Sequence, residues 1–195
     1  MTRRATIERA TSETEIVLTL ELDGEGTTSV ATGVPFFDHM LEAFGRHGLF
    51  DLEVDATGDV AVDAHHTVED VGICLGAAFA RALGDKRGIH RFGSVFVPMD
   101  EALVLAAVDV SGRGQLHYAV DTPIEVIGTF DTTLAKEFMI ALAANAGVTI
   151  HVMAFAGENA HHIIEAVFKA VGRSLAEAVE IDPRVTGVPS TKGSL

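Results

Sequence analysis

The order of apolar and polar residues along the chain predicts a series of strands and helices. Apolar side chains alternate with more polar ones between Ile16 and Leu22, which is typical of a strand with one buried face. Between Phe37 and Phe44 the apolar residues recur every three or four positions, as on one face of a helix. The same patterns predict strands at residues 16–22, 49–56, 95–98, 102–110, 115–120 and 148–155, and helices at 36–46, 65–83, 133–144 and 161–179.

Polar residues and a glycine indicate where two of these helices begin or end. Asp63 precedes the second helix and Asn159 precedes the fourth, where a side-chain oxygen can accept a hydrogen bond from an unpaired backbone N–H. Gly84 follows the second helix and is expected to end it, because glycine adopts the backbone angles that terminate helices.

The second half of the sequence repeats the first. The motif Ala-His-His-x-x-Glu-x-Val at residues 64–71 recurs at residues 160–167, an offset of 96 positions. Gly76 and Gly172 keep that register. An internal repeat is weighed before other signals, because two copies of one structural unit are the simplest arrangement it predicts.

A second stretch of the repeat lies upstream of this motif. Residues 36–50 align with residues 134–148 at an offset of 98, and His39 then falls opposite Glu137. Continuing the same alignment sets Glu53 opposite His151.

The repeat predicts an α+β fold made of two duplicated halves. Each half is expected to be a mainly antiparallel sheet with two helices on one face. We expect residues 1–195 to form a single compact domain, with a first half at about 5–87 and a second at 88–182. The tail, residues 183–195, is expected to contribute to the functional site.

The composition narrows the possible partners. Acidic residues number 28 and basic residues 14, so the net charge of −14 argues against binding to nucleic acid, whose phosphates attract basic surfaces. Nine histidines in an acidic chain favour divalent cations. The longest apolar run is too short to cross a membrane, and the single cysteine, Cys74, suits a reducing cytoplasm. A cytoplasmic protein without a membrane span is therefore expected.

The duplicated His-His-x-x-Glu motif predicts a metal site. On a helix, His65 and Glu69 are four positions apart and His66 and Glu69 are three apart, so either pair shares a face. Adjacent histidines differ by about 100° around the helix axis, which directs them to different ions. Two copies therefore suggest two metals, each with ligands from both copies, and the histidine and carboxylate set suits Mn²⁺, Fe²⁺ or Zn²⁺.

Other residues with metal-binding or anion-binding chemistry lie outside this motif. His39 is a candidate further ligand, and Glu137, in the matching position, could serve similarly. Arg113 lies between glycines after a strand, and Arg91 opens the second half. The tail at residues 187–193 combines small hydroxyl residues with a lysine and glycines, a set of residues that can hold a phosphate.

Five segments in this order carry a family resemblance. They are VPFFDHML at residues 34–41, DAHHTVED at 63–70, SGR at 111–113, NAHHIIEA at 159–166 and PSTKG at 189–193. Together they resemble the imidazoleglycerol-phosphate dehydratase family of histidine biosynthesis, and the match runs from Arg9 to Gly193. The resemblance implies a hydro-lyase with a duplicated, ribosomal-protein-like α+β fold.

The resemblance also implies functional residues. The implied metal ligands are His39, His65, His66, Glu69, His161, His162 and Glu165. Glu137 is a further candidate, because some members have a metal-binding histidine there. The implied substrate-binding residues are Glu13, His39, His47, His65, Arg91, Arg113, Ser190, Thr191 and Lys192. The implied catalytic residues are Glu13, His39, His65, Glu69, His161 and Glu165, with Glu13 as the base or proton relay of a neighbouring site.

The family's activity implies two Mn²⁺ ions per active site and a 24-subunit homo-oligomer with metal sites at subunit interfaces. The reaction would convert imidazoleglycerol phosphate to imidazole acetol phosphate. A metal-stabilised imidazolate would expel hydroxide to give a diazafulvene-like intermediate, in which the neighbouring carbon-bound proton becomes acidic enough to be removed.

Two other functions compete with this one. A metal-storage or structural metal protein would explain the histidines and the acidity, but not the placement of Arg113 and Lys192. Another di-metal enzyme, such as a hydrolase, would share the ligand types. Ferritin-like sites use Glu-x-x-His on bundle helices, whereas the order here is reversed and strands are abundant.

Overall fold

The alternating segments form two four-stranded sheets, and the segments with helical spacing form helices. The computed structural model describes residues 3–123 and 126–195. In chain order the elements are β1 Arg4–Ala10, β2 Thr14–Glu21, β3 Thr28–Ala31, α1 Pro35–Gly48, β4 Asp51–Gly58, α2 His65–Leu83, β5 Phe92–Met99, β6 Ala102–Asp109, β7 Gln115–Ala119, β8 Val126–Ile127, β9 Phe130–Asp131, α3 Leu134–Ala146, β10 Thr149–Ala156 and α4 Ala160–Val179.

The two sheets have the same topology, which confirms the α+β fold with duplicated halves. The strand order is β1-β2-β4-β3 in the first sheet and β5-β6-β10-β7 in the second. In each sheet the first three strands pair antiparallel, and the last strand pairs parallel with its neighbour. Strands β8 and β9 form a separate small hairpin.

The helices lie between the sheets. Helices α1 and α2 pack on the first sheet, and α3 and α4 pack on the second. Across the molecule, α2 packs against α3 and α1 packs against α4. At both crossings the two helices approach closely at a glycine. A Cβ added to Gly76 would lie 2.7 Å from the carbonyl oxygen of Leu142, and a Cβ added to Gly172 would lie 2.6 Å from the carbonyl oxygen of Phe44. This explains why the repeat keeps a glycine at both positions.

Aromatic rings join the two halves into one core. The ring of Phe37 lies 5.3 Å from that of Phe138 and 6.4 Å from that of Phe168, measured between centroids. All three side chains are fully buried. A buried phenylalanine typically stabilises a fold by about 1.5–3 kcal/mol, so these contacts hold the halves together strongly.

Some elements differ from the sequence prediction. The strands β1 and β3 and the β8–β9 hairpin were not predicted. Asn159 caps α4 as expected, since its side chain accepts a hydrogen bond from the backbone N–H of His161 at 2.9 Å. Asp63 was predicted as the N-cap of α2, but Ala64 occupies that position. Asp63 lies one residue earlier, and its side chain still accepts from the backbone N–H of His65 at 2.8 Å.

None of the helices that the structure describes is both long and apolar enough to cross a membrane.

Candidate functional site

One group of potential metal ligands combines side chains from both halves. Nε2 of His39, on α1, lies 3.3 Å from Oε2 of Glu165, on α4. Nε2 of His161 lies 3.0 Å from the same oxygen. Within residues 3–123 and 126–195, this is the one group of at least three histidine, cysteine or acidic residues whose ligand atoms all lie within 4.8 Å of one another. We call it the His39 cluster.

The carboxylate of this cluster is buried beside a lysine. Glu165 is 7% exposed, and Nζ of Lys169 lies 2.6 Å from its Oε1. Burial raises the pKa of Glu165, but the hydrogen bond and charge of Lys169 outweigh it, so the net shift of the pKa is downward. The carboxylate is therefore held ionised. Sequence reasoning missed Lys169, although its spacing of four residues from Glu165 on a helix was a signal.

The adjacent histidines of the first motif face in different directions, as helix geometry requires. The rings of His65 and His66 are 6.1 Å apart and nearly perpendicular. Nε2 of His65 lies 3.6 Å from Oε2 of Glu69, so the structure selects the pair that is four residues apart. Nδ1 of His66 instead lies 3.0 Å from Oδ2 of Asp59 and 3.7 Å from Oε2 of Glu13.

The second motif shows the same divergence. Nε2 of His161 joins the His39 cluster, whereas Nδ1 of His162 lies 2.8 Å from Oε2 of Glu101. The hydrogen bond from His162 is the largest cause that lowers the pKa of Glu101 to about 2. The same contact raises the pKa of His162, and a contact with Asp59 raises that of His66. A carboxylate on Nδ1 orients the ring and leaves Nε2 as the potential ligand atom.

Asp59 and Glu101 were not predicted as site residues. Glu101 occupies the turn between β5 and β6, and Asp59 directly follows β4. The β1–β2 and β5–β6 hairpins align at an offset of 88, which sets Glu13 opposite Glu101. That correspondence was visible in the sequence only once the strands were known, because β1 was not predicted.

Glu137 lies apart from the histidines in this chain. It lines a surface hollow with Tyr118 and Lys136. It is not part of the His39 cluster, and no pairing of Glu137 with the His65–Glu69 pair is seen in the described part of the chain. Its predicted role as a ligand therefore requires partners from another chain.

His47 lies beside the His39 cluster. It lines a groove of about 260 Å³ together with His39, Glu165 and Lys169. Burial lowers the pKa of His47, and the charges of Lys169 and Arg173 lower it further, which favours a neutral imidazole. A neutral ring can accept as well as donate a hydrogen bond.

Two of the predicted anion-binding residues, Arg91 and Arg113, both lie beside Asp109. Arg91 donates from Nε to Oδ1 of Asp109 at 2.8 Å and from Nη1 to the carbonyl oxygen of Pro189, in the tail, at 2.9 Å. Nη2 of Arg113 is 3.9 Å from Oδ2 of Asp109, and its side chain is 64% exposed. Its guanidinium therefore faces solvent, whereas Ser190, Thr191 and Lys192 follow Pro189 in the tail. Sequence reasoning did not identify Asp109.

Arg91 and the His39 cluster lie at opposite ends of α4. His161 is in the first turn of this 20-residue helix, and the backbone N–H of Arg91 bonds to the carbonyl oxygen of Ala178, in the last turn. At a rise of about 1.5 Å per residue, His161 and Ala178 are about 25 Å apart along the helix. One small molecule cannot reach both within a single chain.

Comparisons with known proteins match this chain along its length. The profile of the imidazoleglycerol-phosphate dehydratase family matches residues 32–175. The imidazoleglycerol-phosphate dehydratase of Pelobacter propionicus is 60% identical over 195 residues, all of both chains. That of Halalkalibacterium halodurans is 58% identical over 193 residues, covering 99% of this chain and 100% of the relative.

Solved structures agree with the sequence comparisons. The crystal structure of imidazoleglycerol-phosphate dehydratase from Staphylococcus aureus has a TM-score of 0.84 at 36% identity, covering 92% of this chain and 99% of that one. The structure of the enzyme from Pyrococcus furiosus in complex with (S)-C348 also has a TM-score of 0.84, at 38% identity, covering 97% and 100%.

Proposed function

The chain belongs to the imidazoleglycerol-phosphate dehydratase family, a hydro-lyase family of histidine biosynthesis, and we propose that it works at a metal centre completed by more than one chain. The His39 cluster is the observation that carries this proposal. It gathers two imidazoles and a carboxylate from helices of both halves, and its carboxylate is buried.

The residues present fit a divalent metal. Imidazole nitrogen and carboxylate oxygen are ligands that Mn²⁺ accepts, and the ligand atoms of His39, His161 and Glu165 already lie within 4.8 Å of one another. His65 and Glu69 offer a second pair of ligand atoms, 3.6 Å apart. Together with the Nε2 atoms of His66 and His162, these residues would hold two Mn²⁺ ions per active site.

The reaction removes water from two adjacent carbons of imidazoleglycerol phosphate. Bound divalent cations would stabilise negative charge on the substrate's imidazole ring. This stabilisation would allow the hydroxyl on the neighbouring carbon to leave. Glu13 would accept the proton from the second carbinol carbon. The product of water loss is an enol, which rearranges to the ketone, imidazole acetol phosphate.

The position of Glu13 supports its role as the base. Its side chain is 51% exposed and its Oε2 lies 3.7 Å from Nδ1 of His66, so it is beside a proposed ligand without a close hydrogen bond to it. A carboxylate without a close hydrogen bond can accept a proton from a substrate brought within reach.

The basic residues would bind the phosphate. Arg91 is anchored by Asp109 and the tail, whereas the more exposed guanidinium of Arg113 can donate to phosphate oxygens. Ser190, Thr191 and Lys192 follow Pro189, whose carbonyl oxygen accepts from Arg91, and would add hydroxyl, backbone and ammonium donors. Binding the phosphate away from the reacting carbons supplies energy that positions the rest of the substrate.

The length of α4 supports an assembly of several chains. The imidazole and phosphate of the substrate are joined through a three-carbon chain, which spans less than about 8 Å at about 1.5 Å per bond. The His39 cluster and Arg91 are about 25 Å apart along α4. We therefore propose that each active site takes the His39 cluster from one chain and the phosphate-binding residues from another, within a 24-subunit homo-oligomer. We also propose a cytoplasmic location, since the one cysteine, Cys74, is buried and unpaired.

The proposal is tested by measuring dehydration of imidazoleglycerol phosphate, bound metal and particle size on the same samples. Chelation should abolish activity and reduce the size of the oligomer, and added Mn²⁺ should restore both the activity and the size. The reason is that a metal that joins two chains contributes its binding energy to their interface. Glu165→Gln should lower bound metal and activity, whereas Glu15→Gln, a control on the exposed face of β2, should change neither. A metal-free protein that keeps its full size and activity would contradict the proposal.

A further inference from the structure

A buried polar network links the β1–β2 hairpin to α2. Asp70 is 7% exposed, accepts a hydrogen bond from Oγ1 of Thr14 at 2.5 Å, and pairs with Nη2 of Arg9 at 2.9 Å. The hydroxyl of Thr67, one turn earlier on α2, is fully buried and has no hydrogen-bond partner among the residues that the structure describes. Polar groups buried in this way require an explanation, because burying them costs free energy.

At the four corresponding positions the second half has only apolar side chains. The two hairpins align at an offset of 88 and the two helices at an offset of 96. Arg9, Thr14, Thr67 and Asp70 therefore correspond to Val97, Ala102, Ile163 and Ala166. All four of these side chains are buried. Because apolar residues of suitable size are commonly at least as stable as a buried ion pair, the fold itself does not require the network.

The network lies directly beside residues of the proposed site. Thr14 follows Glu13 in the chain, and Asp70 follows Glu69. In the turn between β1 and β2, the backbone N–H groups of Glu13 and Thr14 donate to Oγ1 of Thr11 at 3.1 and 3.0 Å. The turn that carries Glu13 is thus tied at its exit to α2, through Thr14 and Asp70.

The corresponding turn of the second half is fixed in a different way. The carboxylate of Glu101 accepts hydrogen bonds from the backbone N–H groups of Asn159 and Glu158 at 2.8 and 3.2 Å, and it contacts His162 at 2.8 Å. Glu101 therefore anchors its own turn, and its carboxylate is occupied. The nearest ring nitrogen to the carboxylate of Glu13, Nδ1 of His66, is 3.7 Å away.

We propose that Arg9, Thr14 and Asp70 are positioning residues for Glu13. They fix the β1–β2 turn to α2 from the side, so that the carboxylate of Glu13 is held in place while remaining free to take a proton. This inference rests on the proposed role of Glu13 as the base.

The first test replaces the three network residues of the first half with their counterparts from the second half. The triple variant Arg9→Val, Thr14→Ala, Asp70→Ala should fold, bind as much Mn²⁺ per chain as wild type, and keep its KM. Its kcat should fall about ten- to a hundredfold, because small displacements of a reacting group reduce rates by such factors. Thr14→Ala alone should show part of this loss, and Thr14→Ser should restore it. Wild-type kcat in the triple variant, or loss of bound metal as the cause of its defect, would overturn the proposal.

The second test asks whether the network acts through Glu13. In single-turnover reactions, Thr14→Ala should slow the wild-type background but have no further effect in a Glu13→Gln background, because a positioning residue has nothing left to position. An equal further loss in both backgrounds would show a general structural role and overturn the proposal. If the triple variant does not fold, the comparison of Thr14→Ala with Thr14→Ser decides.

The same measurements separate this proposal from the proposed function. If Glu13→Gln is fully active, Glu13 is not the base, and both fail together. If Glu13→Gln is inactive while Thr14→Ala and the triple variant are fully active, the role of Glu13 stands and the positioning network is wrong.

Discussion

Two inactive variants of this chain should restore activity when they assemble together. His161→Ala removes a ligand of the His39 cluster, and Arg113→Ala removes an exposed guanidinium of the proposed phosphate site. Arg113 lies beside Asp109, which also holds Arg91 at the far end of α4, about 25 Å from His161, so the proposed active site takes the two positions from different chains. Each variant then damages only one side of every site.

The size of the recovery follows from random mixing. In an assembly with equal amounts of both variants, half of the clusters and half of the arginine sites are intact. If each site pairs a cluster of one chain with an arginine of another, about one quarter of the sites are fully intact. If both came from one chain, no site would be intact.

A matched mixture provides the control. Wild type assembled with the double variant, His161→Ala and Arg113→Ala in one chain, contains the same numbers of intact clusters and arginines. Sites shared between chains predict about one quarter of the wild-type kcat/KM in both mixtures, whereas sites within one chain predict about one half in the control and none in the other.

The assay uses co-expression with two different affinity tags, so that purification over both tags retains only mixed particles. Dehydration of imidazoleglycerol phosphate then gives kcat/KM for each mixture, alongside each variant alone. The reasoning is refuted if the mixture of single variants is no more active than the variants alone while the control keeps about half.

Three further changes test other parts of the site and the fold. Lys192→Ala should lower kcat/KM about ten- to a hundredfold, mainly through KM, with bound metal unchanged, because a hydrogen bond to a charged group contributes about 1.5–3 kcal/mol; an unchanged KM would exclude the tail from the site. Glu137→Ala should weaken metal retention and Glu137→His should recover it, as measured by metal content after dialysis; full metal content in Glu137→Ala would show that it is not a ligand. Arg184 lowers the pKa of Asp182 to about 2, from an ordinary 3.8, so the ionised carboxylate stabilises the fold above about pH 4 and this contribution is lost as the pH falls towards 2. Asp182→Asn should therefore lower the melting temperature at pH 7 but not near pH 2, and equal differences at both pH values would contradict this.

The fold was predictable where the sequence carries strong periodicity. All four predicted helices and the central strands are present, since their apolar positions mark a buried face. Strand β1 was missed because only two of its inward positions, Ala5 and Ile7, are clearly apolar. The third inward position is occupied by Arg9, which belongs to the polar network. Strand β3 has only four residues, two half-buried and two exposed, so it has little pattern to detect.

The site was predictable in its parts but not in its arrangement. Helix geometry alone required His65 and His66 to diverge, and the structure shows that they do. Which helices of the two halves meet is decided by packing, so the contact of His39 with Glu165 could not be derived from spacing. The same holds for Asp109, whose role depends on two arginines that meet only in the folded chain.

The packing of the helices also has a consequence for how this chain arose. Each half covers its helices with those of the other half, so a single half on its own would expose Phe37 or Phe138 and their neighbours to water. An ancestral half-length chain would therefore have had to pair with a second copy of itself.

In such an ancestral pair, every cluster would have existed twice, related by the symmetry axis. The counterpart of His39, His161 and Glu165 would be Glu137, His65 and Glu69. While one gene encoded both copies, no mutation could alter one cluster and spare the other. Fusion of two gene copies removed that restriction, and the exchange of histidine for glutamate between positions 39 and 137 is a difference that only a fused chain can carry.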